Sequence, residues 1–204
     1  MSSPFLALTR LVALFCGASV ILAAGDAGLC YRGWNNSGVF PAAGLLKEWP
    51  PGGPELLWKY PLDIGFSSVT VAGGKVYATG GETHRLYTFS LDGKLESCVR
   101  LGSSSWKRFS GTRSTPIVAG GIAVSSTPDA TLYAVDLSTS ARKWSVNAWK
   151  NFGSGKGGMG WGYPESPLYH DGKVIFNTCS RDTNTPPIVA VDIRTGKTVW
   201  EADA

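Results

Sequence analysis

Five side chains have the types to make a binding site if the fold gathers them: Arg113, Glu165, Trp106, Trp161 and Tyr163. A guanidinium, a carboxylate and flat rings suit a polar organic ligand or a stacked planar quinone. Other chemistries find less support. His84 and His170 read as hairpin-turn residues, and neither has a second ligand at metal spacing, so no metal centre is expected. There is no G-x-S-x-G nucleophile elbow. The glycine run Gly153 to Gly162 lacks the order G-x-x-x-x-G-K-[S/T] before a helix, and reads as a flexible or tightly turning connection. No residue is assigned as catalytic.

The elements that must position those five residues are short strands. Ile188 to Trp200, I-V-A-V-D-I-R-T-G-K-T-V-W, reads as a strand, a turn centred on Gly196 and a second strand ending on a large ring. A ring of that size needs a neighbouring layer, which one hairpin cannot supply. The stretch recurs. In L-Y-A-V-D-L-S-T-S-A-R-K-W, Ala134, Asp136, Thr139 and Trp144 align without gaps on Ala190, Asp192, Thr195 and Trp200. A decayed copy runs from Leu86 to Cys98, with Ser90 for the aspartate and Cys98 for the tryptophan. Cys98 is therefore expected to be a small buried residue.

Each copy follows a strand, a Gly-centred turn and another strand, so the unit has four strands. The units start at Ser68, Thr115 and Ser166, steps of 47 and 51 residues. A four-stranded unit at that period is the sign of a propeller blade. The expected fold is all-β: a partial β-propeller of about three four-stranded antiparallel blades, near 65–100, 114–147 and 165–204. Inner strands of a propeller line its channel, and their entries gather at one mouth. Those entries are Phe66 to Ser68, Arg113 to Thr115 and Pro164 to Ser166, which is why the five residues are expected to meet there.

The pattern A-x-D-x-x-T-G-K-x-x-W, complete at Ala190, Asp192, Thr195, Gly196, Lys197 and Trp200, resembles the tryptophan-docking motif of the pyrroloquinoline-quinone (PQQ)-type β-propeller repeat proteins. R-G-W-N-N-S-G-V, G-L-L-K-E-W-P, R-S-T-P and W-G-Y-P-E-S-P are similar to stretches of bacterial secreted members. The resemblance implies that each motif ring wedges between adjacent blades. It also implies two functions. One is a non-catalytic exported binding or scaffold module whose partner is a protein or a small polar ligand. The other is a fragment of a PQQ-dependent alcohol dehydrogenase of the polyvinyl-alcohol type. PQQ with calcium enters only in the second reading, and no cofactor is otherwise expected. The adjacent cysteines that many such dehydrogenases carry are absent.

Composition agrees with this architecture. The chain has 204 residues, and its 26 Gly and 12 Pro suit many short strands and turns. A formal charge of +4, scattered without a run, argues against nucleic acid. Residues 1–27 read as a secretory signal peptide: Arg10, then an apolar run from Leu11 to Ala24 that is shorter than the ~20 residues of a membrane span, then small residues. Removal of that run leaves no membrane span and sends the chain to the periplasm or outside, whereas retention would anchor it. Export permits disulfides, but Cys30, Cys98 and Cys179 are odd in number and no pair is assigned. Residues 28–54 read as an irregular lead-in. Glu55 to Tyr60 reads as a first strand carrying Trp58; the resemblance implies that such a strand completes the last blade of a closed ring, so a short chain would leave Trp58 unpaired. Three blades are fewer than the ~4–8 of a closed propeller, so the chain reads as the front part of a longer one.

Overall fold

A computed structural model of the chain describes residues 30–33, 36–39, 44–106, 108–152, 160–179 and 184–203. The signal-peptide reading and most of the glycine run, residues 153–159, lie outside the described residues.

Three four-stranded antiparallel sheets follow one another along the chain. The first blade comprises β1 (Thr70–Ala72), β2 (Lys75–Gly80), β3 (Thr83–Ser90) and β4 (Leu95–Ser103). The second comprises β5 (Ile117–Ala119), β6 (Ile122–Ser126), β7 (Thr131–Asp136) and β8 (Ala141–Asn147), followed by the single-turn helix α1 (Ala148–Asn151). The third comprises β9 (Leu168–His170), β10 (Lys173–Asn177), β11 (Ile188–Asp192) and β12 (Thr198–Glu201). Within each sheet every strand pairs with its neighbours in sequence, as in a propeller blade. The first hairpin of each blade turns on two left-handed residues: Gly73-Gly74, Gly120-Gly121 and Asp171-Gly172. That is the chemistry a two-residue hairpin with native strand twist requires.

The blades face one another across apolar layers. Ile117, Val124 and Leu132 of the second blade meet Val174, Phe176 and Val189 of the third in the larger core. Tyr77, Leu86 and Leu101 of the first meet Val118, Ala123 and Val135 of the second in a smaller one. A repeating hydrogen bond ties the inner edges: Ser68 N donates to Thr115 Oγ1 and Thr115 N to Ser166 Oγ, each at 3.0 Å. These are the repeat-equivalent positions of successive blades, so one hydroxyl per blade serves as the latch.

The lead-in crosses the blades. Cys30 is buried in the core between the second and third blades, and Asn36 Nδ2 donates to Tyr169 O at 3.4 Å. Residues 55–60 form no strand, contrary to expectation, because no described strand pairs with them. Side chains hold the segment instead. Trp58 Nε1 donates to Leu91 O at 2.9 Å, and the rings of Trp58 and Tyr60 lie 5.6 and 4.9 Å from that of Phe89. Trp58 is therefore not left unpaired.

Two further expectations need correction. His84 belongs to β3 and His170 to β9 rather than to turns, and His84 is fully buried. Cys98 is exposed, because it pairs with Tyr87 on the sheet face away from the second blade. The residue at the tryptophan position of the first blade is Ser97, opposite Thr88 as Trp144 is opposite Ala134 and Trp200 opposite Ala190.

Candidate functional site

The inner-strand entries do gather. Gly65 bridges to Thr112, and Phe66 N donates to Thr112 O at 2.7 Å, which brings the first two entries together. Beside them opens a cavity of about 430 Å³ lined by Phe66, Phe109, Arg113, Trp161 and Pro164. Two of the five expected residues, Arg113 and Trp161, thus line one space.

Arg113 is held from the protein side. Its guanidinium donates to the carbonyls of Gly111 at 3.0 Å, Arg108 at 3.4 Å and Phe109. No carboxylate is among these partners, so the cation is fixed by neutral dipoles and its charge is not cancelled at contact. Partial burial pulls its pKa down. Phe109 and Trp161 stand beside it with ring centroids 5.0 Å apart, and both rings are more than half exposed. Phe109 takes φ +57, uncommon for a bulky residue, and this conformation belongs to the loop that Arg113 pins.

The other three expected residues lie behind the cavity. Trp106 Nε1 donates to Gly160 O at 3.2 Å, and its ring lies 6.1 Å from that of Trp149 on α1. Tyr163 is buried edge-on against Trp149. Its hydroxyl lies 2.7 Å from both Glu165 Oε2 and the Asn177 carbonyl oxygen. Burial pushes the phenol pKa well above its ordinary value, so it stays protonated. Glu165 also accepts from Asn177 N, at 3.2 and 3.0 Å. Burial pushes its pKa up, against the lowering effect of the Tyr163 and Asn177 hydrogen bonds. Arg113 and Glu165 therefore have separate partners. Phe66 lies in an entry expected at the mouth, and Phe109 in the loop just before another, but neither ring is among those expected to line it. Nothing in a lone sequence says which of four aromatic residues in two loops points outward.

The two motif turns share one hydrogen-bond pattern, and of their two tryptophans Trp144 is docked while Trp200 is 39% exposed. Asp192 Oδ1 accepts from Arg194 N at 2.9 Å, Thr195 N at 2.8 Å and Thr195 Oγ1 at 2.9 Å, which fixes the turn. Asp136 Oδ1 does the same with Ser138 N, Ser138 Oγ and Thr139 N. Those bonds, the Ser138 hydroxyl first, hold its pKa down at about 2. Lys197 follows Gly196, and its carbonyl accepts from Asp192 N to close the turn. Trp144 Nε1 reaches across to the next blade's turn and donates to Ile193 O at 2.8 Å.

A family model described as outer membrane protein assembly factor BamB matches residues 65–146, which take in the first two blades. No curated protein matches the sequence. Quinohemoprotein alcohol dehydrogenase from Comamonas testosteroni aligns with a TM-score of 0.54 at 16% identity, over 68% of this chain and 21% of that one. Quinohemoprotein alcohol dehydrogenase ADHIIG from Pseudomonas putida HK5 aligns at 0.51 and 22%, over 70% and 21%. BamB from Moraxella catarrhalis aligns at 0.51 and 16%, over 71% and 42%. The chain thus spans about a fifth of either dehydrogenase and less than half of that BamB, and at these identities the likeness is one of fold.

Proposed function

We propose that this chain of PQQ-like β-propeller repeats, the type its docking motif resembles, acts as an exported binding or scaffold module and not as a catalyst by itself. The observation that carries this reading is the chemistry of the mouth. Its exposed groups are rings and one fixed cation, Arg113. The acid expected there, Glu165, is turned inward to Tyr163 and Asn177. A general base must come within hydrogen-bond reach of its substrate, and an acid committed to two internal partners is poorly placed for that. Rings beside an unneutralised guanidinium suit a planar or carboxylate-bearing group from a small polar ligand or a protein side chain. In this reading the half-exposed rings around Arg113 are contact surface.

The dehydrogenase-fragment reading draws on the same aromatic, cationic mouth and on the two quinohemoprotein alcohol dehydrogenases that share the fold. Calcium takes six to eight oxygen ligands. Among the described residues no three His, Cys, Asp or Glu side chains cluster to hold a metal, and both oxygens of Glu165 already accept from Asn177 N. The residues at this mouth do not fit the calcium–quinone pair.

One experiment separates the two. PQQ and calcium are added to the full chain, and quinone absorbance and alcohol-dependent dye reduction are followed. A binding module gives neither signal. Dye reduction that an Arg113→Ala variant loses would replace it with the dehydrogenase reading.

A further inference from the structure

Three equivalent stations for a docking indole exist along this chain, and one of them lacks its ring. At the first, Trp58 lies over Gly93 and donates to Leu91 O at 2.9 Å. At the third, Trp144 lies over Gly196 and donates to Ile193 O at 2.8 Å. At the middle station, between the first and second blades, Ser97 stands where the tryptophan would be and Ser140 where the glycine would be. Their hydroxyls join at 2.8 Å. Both members of the pair thus differ from those at the other two stations. The space is not refilled: a cleft of about 480 Å³ opens there, with Tyr77, Leu86, Val99, Val135 and Leu137 among its walls.

We propose that this cleft binds a planar N–H heteroaromatic ring of indole size. Its volume lies in the range of ligand pockets. Its apolar walls belong to the layer between the first and second blades, and Thr88, Ser97, Ser138 and Ser140 add hydroxyls to its lining. Leu137 occupies the turn position of Leu91 and Ile193, whose carbonyls accept the indole N–H; Leu137 N donates to Gly121 O as Ile193 N donates to Gly172 O. The charges on its rim, Lys75 and Glu96, neutralise each other at 2.6 Å and select for no ion. Ser140 carries a Cβ where the other two stations have glycine, so the ring sits displaced from it, toward Tyr77, Val99 and Leu137, and the exposed Ser97–Ser140 hydroxyls stay in water. The ring can arrive as a free indole or as a tryptophan side chain. The site is separate from the mouth and does not depend on what the mouth binds.

The test is an NMR titration of the isotopically labelled full chain with indole, 1-methylindole and N-acetyltryptophanamide. Shift changes are expected on Tyr77, Val99 and Leu137, with about five- to tenfold weaker binding of 1-methylindole, which lacks the donor. N-acetyltryptophanamide as the tighter ligand points to a partner's side chain, and indole as the tighter points to a free ring. The double variant Ser97→Trp with Ser140→Gly restores the resident ring, and is expected to abolish binding while raising the melting temperature. Absence of shifts with both N–H ligands, shifts confined to other regions, or unchanged affinity in the folded double variant overturns the proposal. Should that variant not fold, the wild-type shift map and the methylindole comparison decide.

Discussion

The Trp144 indole lies against the bare α-carbon of Gly196: a methyl group built there would come within 2.7 Å of the ring. Gly196 also has φ +70, a conformation that costs a side chain strain even in open space. Glycine is thus required twice, once for the turn and once for the close approach. Gly196→Ala is expected to cost about 2–4 kcal/mol, combining left-handed strain with displacement of the ring. Chemical denaturation measures it, and a loss below ~1 kcal/mol would mean that the ring shifts freely.

His84 bolts the first blade to the second. Its ring lies between Ser104 Oγ at 3.1 Å and Ser125 Oγ at 3.0 Å, fully buried. Burial pushes its pKa down to about 4, with the Asp129 charge acting weakly the other way. A histidine whose folded pKa lies below its unfolded value is more easily protonated in the unfolded chain. Its neutral form therefore stabilises the fold fully above about pH 6.5, and this contribution falls away as pH drops toward about 4. The loss is up to about 3 kcal/mol. Urea denaturation from pH 7.5 to 4 should show it. In a folded His84→Gln variant the slope should flatten, and an unchanged slope would assign it to other groups.

Glu165 has the opposite sign. With the acid ionised, the single Tyr163 hydroxyl proton must choose between two oxygens, each 2.7 Å away. With the acid protonated, Glu165 can donate to Tyr163 and Tyr163 to the Asn177 carbonyl, so every contact is satisfied. Its raised folded pKa means that its contribution is whole at low pH and is lost as pH rises through that value. Glu165→Gln, neutral at all pH, is expected to match or exceed the wild type at pH 7 and lose that advantage near pH 4. Paired thermal melts at the two pH values read it. A variant weaker by more than about 1 kcal/mol at pH 7 would show the charge itself to be stabilising.

The packing motif was legible because all its parts lie within one hairpin. Asp192, Gly196 and Trp200 act through local turn geometry, and local geometry writes itself as spacing. The first blade escaped that logic by a single residue. Its turn closes from Gly93 N to Ser90 O, one residue tighter than Gly196 N to Asp192 O. An ungapped alignment therefore selects Cys98 where the sheet register selects Ser97. His84 was opaque for a different reason: its partner Ser125 lies 41 residues on, in another sheet. At the mouth, sequence identified the loops but not the direction of each side chain. Arg113 and Trp161 point into the cavity while Tyr163 and Glu165 point into the core, a choice set by packing on Trp149 and by Asn177.

The three tryptophans Trp58, Trp144 and Trp200 should rank by how much of the docking arrangement each completes. Trp144 has everything: a glycine below, a carbonyl for its N–H and a place against the larger core. Trp144→Ala is expected to cost about 3–5 kcal/mol. Trp58 has the glycine and the carbonyl but comes from a segment that forms no strand, so its loss should cost less, about 1–3 kcal/mol. Its removal should also release residues 55–60 to proteolysis before the blades unfold. Trp200 is 39% exposed, beside the exposed Leu168 and Ile188, and no described turn lies beneath it. In this chain Trp200→Ala should change stability by less than about 0.5 kcal/mol. Equilibrium denaturation of the three variants gives the order directly. Should Trp200→Ala prove as costly as Trp144→Ala, the ring must already be covered, and size-exclusion chromatography of the wild type would then show whether a second copy covers it.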